Sequence, residues 1–205
     1  MKHPPQDVAA LVSASEALGV QIGASQAELL LRFERLLADR AIAFGMVASS
    51  DAARLRERHI LDCLRGAAEV GDAASAYDLG SGAGLPGVVI AIAVPALHMG
   101  LVESRRRRAS FLELVADELG LTNVDVVASP VGALTERVDV CFARAFAPMP
   151  AAWSAAERLL ASEGRLVFFA GERTSTQAPT GARILAVRTI PVLESAGPLV
   201  IMGRQ

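Results

Sequence analysis

The amino-acid sequence predicts an α/β protein in which an all-helical segment precedes a parallel sheet with helices on both faces. Two observations lead to this fold class. Up to about residue 70, apolar side chains recur at helical spacing, and from Ala74 onward short apolar runs alternate with helical ones. Such alternation is typical of parallel sheets. We expect a helical extension over residues 1–72 and a sheet domain over 73–205, packed as one globular unit.

Three helices are expected in the extension. Apolar residues repeat at helical spacing over 6–18, and Ser25 can cap a second helix that carries Leu29, Leu30 and Phe33. A third helix is predicted over 51–70, where apolar residues occupy one side and arginines the others. These helices would cover part of the sheet domain.

The sheet domain is predicted to contain seven strands. Five are expected over 75–79, 98–102, 124–128, 138–143 and 165–170, with helices over 86–94, 105–119 and 150–160. Two further strand-like runs, 182–192 and 198–202, have no helix between them. They predict a terminal hairpin that places one antiparallel strand at the sheet edge.

Composition and charge narrow the class of protein. Of the 205 residues 52% are hydrophobic and 20% are charged, and the formal net charge is −2. No apolar run reaches the roughly 18 residues of a membrane span, and the start, MKHPPQD, lacks the pattern of a secretory signal. We expect a cytoplasmic protein without a membrane span. Its overall charge argues against coating nucleic acid, although a local basic face would be compatible with it.

The cysteines and histidines give no sign of a metal site or a disulfide. Cys63 and Cys141 are far apart in sequence and stand among apolar residues, and the three histidines are scattered. We therefore predict two buried thiols and no metal site.

The stretch AYDLGSGAGLPG at 76–87 predicts a ligand-binding loop. It joins a strand to a helix, and Gly80, Gly82 and Gly84 let the backbone pass close to a ligand. The run GAGLPG also satisfies the dinucleotide pattern, which is a weak match on its own. Asp78 stands in front of the loop, where it would repel a pyrophosphate. It would attract the ammonium and sulfonium of S-adenosylmethionine, which carries no phosphate.

A second acid supports a nucleoside ligand. Glu103 ends the second predicted strand, where a carboxylate can accept hydrogen bonds from ribose hydroxyls. A dinucleotide site and a purely structural glycine turn stay as alternatives. The order of elements, with this loop, favours the Rossmann-like fold of class I S-adenosylmethionine-dependent methyltransferases, with the helical extension added at the N-terminus.

Four motifs resemble one bacterial family. DLGSGAGLPG is preceded by RHILDCL at 58–64 and followed by LVESRRRRASFL at 101–112 and ARAFAP at 143–148. Over residues 54–171 the sequence is similar to the small-subunit ribosomal RNA guanine-N7 methyltransferases, also called glucose-inhibited division protein B. The resemblance implies S-adenosylmethionine as donor. It implies a guanine in the decoding-centre loop of 16S rRNA, within the 30S subunit, as acceptor, and we expect a monomer.

The resemblance also implies site residues, matched position by position. Contacts to the cofactor are expected at Asp78, Gly80, Ser81, Gly82, Gly84, Leu85, Glu103, Val131 and Gly132. Catalytic or RNA contacts are expected at Arg58, His59 and Arg144, and Arg144 would hold the guanine edge or an adjoining phosphate. The alternatives without a catalytic role are that Arg144 only caps the end of a strand and that His59 is a hydrogen-bonded residue packed beside apolar ones. Asp62 could likewise pair with Arg58 one helical turn away and only stabilise the helix.

The chain departs from the family pattern mainly on the acceptor side. Phe44-Gly-Met-Val47 stands where the family has Tyr-Asn-Leu-Thr, Ser129-Pro-Val-Gly132 replaces a Gly-Arg-Ala-Glu-like turn, and Ala170 replaces a lysine. Two alternatives therefore stay open: a related methyltransferase with another acceptor, either a small molecule or a different RNA, and a nucleoside-binding module without catalysis. Four arginines at 105–108 form either a solvated helix face or a set of contacts to RNA phosphates.

Overall fold

The computed structural model describes residues 5–171, 177–190, 193 and 196–205. Within them the strands are β1 (Ser75–Leu79), β2 (His98–Val102), β3 (Val124–Val127), β4 (Val138–Arg144), β5 (Leu160–Phe169), β6 (Ala182–Arg188) and β7 (Leu199–Arg204). They form one seven-stranded sheet in the order β3-β2-β1-β4-β5-β7-β6. The fold class predicted from the sequence is therefore confirmed.

The α-helices alternate with the strands after an all-helical start. They are α1 (Pro5–Ala17), α2 (Ala24–Leu36), α3 (Asp62–Leu64), α4 (Gly87–Ala93), α5 (Arg106–Leu119) and α6 (Met149–Glu157). Shorter turns of π or 3-10 geometry adjoin them at Leu37–Ala41, Ser49–Arg54, Arg56–Leu61 and Arg65–Glu69, and a separate 3-10 turn lies between β3 and β4 at Val131–Ala133. The turns around α3 make residues 49–69 one continuous helical segment, close to the predicted helix over 51–70.

The directions and order of the strands indicate where a ligand would bind. Strands β1 to β5 are parallel. The chain leaves β1 for β2 on one side, and β4 lies on the other side of β1. Ligands of open α/β sheets bind at the carboxyl ends of the strands, where the strand order reverses in this way. The end of β1 next to the end of β4 is that position here.

The terminal hairpin is confirmed, but the expected place of its antiparallel strand is wrong. Strand β7 runs antiparallel to both β5 and β6 and lies between them, so β6 is the edge strand. The cause lies in burial: five successive residues of β7 are buried, whereas exposed residues alternate along β6. A strand buried on both faces belongs inside a sheet. Residues 191–192 of the predicted run lie outside the described part of the chain.

Two local expectations are also wrong. Gly23, and not Ser25, is the N-cap of α2, because the Gln26 side chain reaches back and accepts a hydrogen bond from the Gly23 N–H at 2.7 Å. The helix predicted over 150–160 ends at Glu157, and the next strand begins at Leu160 instead of residue 165. The sequence does not predict this earlier strand start, because the stretch ASEG that follows Leu160 is not apolar. The pairing of β5 with β4 is also irregular there.

Two apolar layers cover the sheet. One unites the helical extension with α4 and α5, and it includes Leu30, Phe33, Ile90 and Leu112. The other packs α6 against the opposite face around Trp153. The extension therefore lies against the helix that follows the glycine loop. Among the described residues, no helix is both long and apolar enough to cross a membrane.

Candidate functional site

A cavity of about 620 Å³ opens where the carboxyl ends of β1 and β4 meet. The glycine loop after β1 forms one wall, and the helical segment 49–69 forms another. Residues 46–48 and the residues that follow β5 and precede β7 complete it. The cavity thus occupies the position that the strand order marks for a ligand.

Asp78, at the end of β1, is a buried acid with one unsatisfied oxygen. Its side chain is 1% exposed, and its Oδ2 accepts a hydrogen bond from the Gly87 N–H at 3.0 Å. Its Oδ1 has no hydrogen-bond partner in the part of the chain that the structure describes. Burial raises the pKa of Asp78 to about 7, although the bond from Gly87 acts to lower it. Arg144 lies near enough to act on this carboxyl, but no ion pair with it is formed by the described residues, which suits the positively charged methyl donor.

The absence of a side chain at Gly87 lets Asp78 reach the start of α4. A Cβ at Gly87 would lie 2.4 Å from Leu101 Cδ2 and 2.7 Å from Asp78 Oδ2, well inside van der Waals contact. At Gly80, φ is +71°, and a Cβ would lie 2.6 Å from Phe146 Cδ2. These two glycines are required by the shape of the loop itself.

Most of the predicted loop residues border the cavity. Gly80, Ser81, Gly82 and Leu85 line it. Gly84 does not line it, because a Cβ at this position would meet the side chains of the adjoining helices, with Val88 Cγ2 at 2.6 Å. The structure thus makes Gly84 a packing position rather than a ligand-facing one.

The other predicted cofactor residues lie behind or away from the cavity wall. Glu103 is buried, and its oxygens accept hydrogen bonds from the Gly82 N–H at 3.1 Å and the Arg105 N–H at 2.8 Å. It ties the glycine loop to α5, and each carboxylate oxygen can accept a further hydrogen bond. Val131 and Gly132 lie in the 3-10 turn after β3, outside the cavity lining.

Arg144, the last residue of β4, is held on three sides and lines the cavity. Its Nε donates to Asp62 Oδ2 at 3.1 Å, and its Nη2 donates to the Arg58 carbonyl at 2.9 Å and to His59 Nδ1 at 3.1 Å. Its Nη1 has no hydrogen-bond partner among the residues described. The structure therefore brings the predicted Arg58, His59 and Arg144 together, with one guanidinium nitrogen left for a ligand.

His59 has a defined tautomer, because arginine can only donate hydrogen bonds. Nδ1 must accept from Arg144, so the ring proton lies on Nε2, which donates to Asp51 Oδ2 at 3.1 Å. Burial and the neighbouring Arg144 cation lower the pKa of His59. The imidazole is therefore neutral at pH 7. The Asp51 carboxylate therefore orients the His59 ring, and the ring in turn orients the Arg144 guanidinium.

Two site residues escaped the sequence analysis. Asp51 also accepts a hydrogen bond from Arg58 Nη1 at 2.8 Å, so the expected Arg58–Asp62 pair is wrong. Asp62 pairs instead with Arg144 and with Arg65. Arg65 is 3% exposed, lines the cavity, and donates to the Gly197 carbonyl at 3.0 Å. The spacing of residues along the helices gives no indication of these contacts of Asp51 and Arg65.

The part of the lining that follows β5 and precedes β7 consists, in its described part, of residues with small, uncharged side chains or none. Ala170, Gly171, Ala196 and Gly197 line it. A Cβ at Gly197 would lie 2.1 Å from the Ala170 carbonyl oxygen, so the residues before β7 pack directly on the end of β5. Ala170, at the position where the resemblance implies a lysine, thus lines the cavity.

The arginine run divides between solvent and cavity. Residues 105–107 are exposed, whereas Arg108 is half-buried and lines the cavity. Arg108 Nη1 lies 3.9 Å from Glu103 Oε2. Both cysteines are free and buried, which confirms the prediction of buried thiols. In the described ranges no cluster of His, Cys, Asp and Glu is arranged to hold a metal ion.

Solved structures show the same fold. The mitomycin 7-O-methyltransferase MmcR superimposes with a TM-score of 0.57 and 14% identity, over 89% of this chain and 71% of that one. A structure of MtNAS in complex with S-adenosylmethionine gives a TM-score of 0.58 and 18% identity, over 96% and 77% of the two chains. At such identities the likeness concerns the fold, and it confirms the class I methyltransferase architecture predicted above.

Sequence comparison confirms the resemblance to one family. Ribosomal RNA small subunit methyltransferase G of Nocardioides sp. is 40% identical over 197 residues, which span 94% of this chain and 68% of that protein. The sequence model of the GidB family, described as rRNA small subunit methyltransferase G, matches residues 26–195. This match includes the glycine loop, Asp78, Arg144 and the helical segment 49–69. The chain belongs to the GidB family of rRNA small subunit methyltransferase G proteins.

Proposed function

We propose that this protein transfers a methyl group from S-adenosylmethionine to N7 of a guanine in the 16S rRNA of the 30S subunit. One observation carries the donor half: the buried Asp78 carboxyl has an oxygen without a partner beneath a glycine loop that lines a 620 Å³ cavity. The proposal extends to the acceptor through family membership, since the relatives bear the name of small-subunit rRNA methyltransferases.

The residues present fit the donor. Gly80, Ser81, Gly82 and Leu85 line the cavity and would hold it along the loop. Asp78 is buried outside the cavity lining and would reach the donor's positive charge through a hydrogen bond from beneath the loop. A charge-assisted hydrogen bond of this kind is worth about 1.5–3 kcal/mol. Glu103 would accept hydrogen bonds from the ribose hydroxyls. Bound S-adenosylmethionine would supply an electrophilic methyl group: the N7 lone pair would form the new N–C bond, and the electron pair of the broken S–C bond would stay on sulfur, which would leave as S-adenosylhomocysteine.

The chemistry at the acceptor needs positioning rather than proton transfer. Guanine N7 carries a lone pair and no proton, so no general base is required. This agrees with a neutral His59 whose two ring nitrogens are both engaged. Alignment of two reactants is worth effective molarities of about 10⁵–10⁸ M. Arg144 would supply that alignment by presenting Nη1 to the guanine edge or to an adjoining phosphate.

The test is transfer of a tritiated methyl group to 30S particles from a strain that lacks the modification. We expect label in 16S rRNA with the parent protein and none with Arg144→Ala or Arg144→Lys, while the affinity for S-adenosylmethionine stays within about twofold. Arg204→Ala is the matched control, because among the described residues Arg204 bonds the carbonyls of Glu157, Leu160 and Ala161, which lie outside the cavity lining and are not expected to contact the cofactor. A fully active Arg144 variant would refute the assigned role.

A different acceptor is the second candidate, and the uncharged wall at Ala170 and Gly197 favours it. In that case the protein would bind S-adenosylmethionine and leave 30S particles unlabelled. With the 30S particle as substrate, we place the protein in the cytoplasm and expect it to act as a monomer.

A further inference from the structure

An exposed aromatic ring belongs to a residue that is close in sequence to the cavity lining. Phe44 is 46% exposed, whereas the other large hydrophobic side chains exposed in the described residues are aliphatic. The guanidinium carbon of Arg107 lies over the Phe44 ring, 4.6 Å from its centroid. A planar cation therefore already covers a ring that the fold leaves in solvent.

Both members of this pair are next to the cavity along the chain. Phe44 precedes Met46 by two residues, and Met46 lines the cavity. Arg107 precedes Arg108, which lines the cavity from the first turn of α5. The pair thus links the chain after α2 to the start of α5, and each of its two residues is within two positions of a residue that lines the cavity.

The surroundings of the pair are cationic. Arg105, Arg106 and Arg107 are exposed, and among the described residues no ion pair joins them to a carboxylate. The protein as a whole carries a net charge of −2. The positive charge here is therefore a local feature, which suits a polyanion that approaches the cavity.

We propose that Phe44 and Arg107 form a stacking site for an unpaired nucleobase that flanks the target nucleotide in RNA, with Arg105 and Arg106 near its phosphates. Aromatic rings and guanidinium planes are the groups on which splayed-out bases stack. The inference rests on the proposed function, in that the acceptor is RNA. The stacking site would be a second binding site, separate from the cavity in which the methyl group would be transferred.

Steady-state methylation of unmodified 30S particles tests the site. Phe44→Ala should raise KM about tenfold or more, as expected for loss of one stacked base, while kcat and the affinity for S-adenosylmethionine stay near the parent values. Phe44→Trp should retain the parent KM, because the stacking surface is kept. Leu185→Ala is the matched control, since this side chain is 45% exposed and lies on the edge strand β6, away from α5. Arg106→Ala should flatten the salt dependence of KM.

A direct binding measurement separates this inference from the proposed function. If the parent leaves 30S particles unlabelled, the affinity for a short fluorescent single-stranded RNA decides: the parent should bind about tenfold more tightly than Phe44→Ala. Equal KM values and equal RNA affinities for the parent and Phe44→Ala would overturn the stacking site. That result would leave the ring to a protein partner.

Discussion

Replacing Asp78 with asparagine should stabilise the protein above pH 7 and weaken its binding of S-adenosylmethionine. Burial raises the pKa of Asp78 from 3.8 to about 7 in the folded protein. Each pKa unit corresponds to about 1.4 kcal/mol, so the ionised carboxylate lowers the free energy of unfolding by about 4 kcal/mol at pH 8. Asparagine carries no charge, and its amide oxygen can still accept the hydrogen bond from Gly87.

The sign of the pH dependence follows from proton linkage. The folded state binds the Asp78 proton more tightly than the unfolded state, so the parent loses stability relative to Asp78→Asn as pH rises from about 4 to about 7. The two proteins should be equally stable near pH 4. Urea unfolding between pH 4 and 8 measures this difference, and isothermal titration should show a loss of about 10- to 100-fold in donor affinity at pH 7.5.

Asp139→Asn is the matched control. Burial acts to raise the pKa of Asp139, but hydrogen bonds from Ser75 and Ala74 outweigh it, so the pKa is lowered. This variant should lose stability above pH 4 and keep the parent donor affinity, because Asp139 lies outside the cavity lining. If Asp78→Asn proved less stable than the parent at pH 8 and bound the donor equally well, the reasoning about a buried, unpaired carboxylate would be refuted.

Three further predictions concern the glycine loop, the Asp51 side chain and the two cysteines. Gly87→Ala should destabilise the protein in urea by about 1–3 kcal/mol, because its Cβ would collide with neighbouring side chains, whereas Gly132→Ala, with open space around it, should change stability little; equal effects would contradict this. Asp51→Ala should reduce the methylation rate about tenfold, and Asp51→Asn, which can still accept from His59 Nε2, should restore most of it; failure of the asparagine variant to do so would exclude the orienting role. An aromatic disulfide reagent that reacts with accessible thiols should leave both cysteines unmodified until the protein unfolds, because both are buried and burial raises the pKa of Cys63 to about 12. Rapid reaction of the native protein would contradict their burial.

The sequence indicates where Asp78 and the glycine loop lie in the fold, because the signals for them are local. A strand that ends in Asp78, a run of glycines and an apolar helix are contiguous in the chain, and the strand order then places them at the carboxyl edge of the sheet. The same holds for Arg144, which ends its strand. Burial of Asp78 follows from the strand, but its unpartnered oxygen and raised pKa depend on how α4 packs.

The acceptor side is less predictable, because its contacts join distant parts of the chain. Arg65 donates to Gly197, 132 residues away, and nothing in the helical spacing indicates this bond. Asp51 contacts Arg58 and His59 through the π-helical geometry of residues 56–61, which shifts side chains from the places that an α-helix would give them. The edge position of β6 likewise depends on pairing that only tertiary structure provides.

Isothermal titration of the purified protein with S-adenosylmethionine, and separately with a nicotinamide dinucleotide, tests the central claim most directly. A buried acid beneath the glycine loop should bind the cationic methyl donor with saturable heat and should reject the anionic dinucleotide. Saturable binding of the dinucleotide, with no heat from the methyl donor at millimolar concentration, would contradict the assignment of the site.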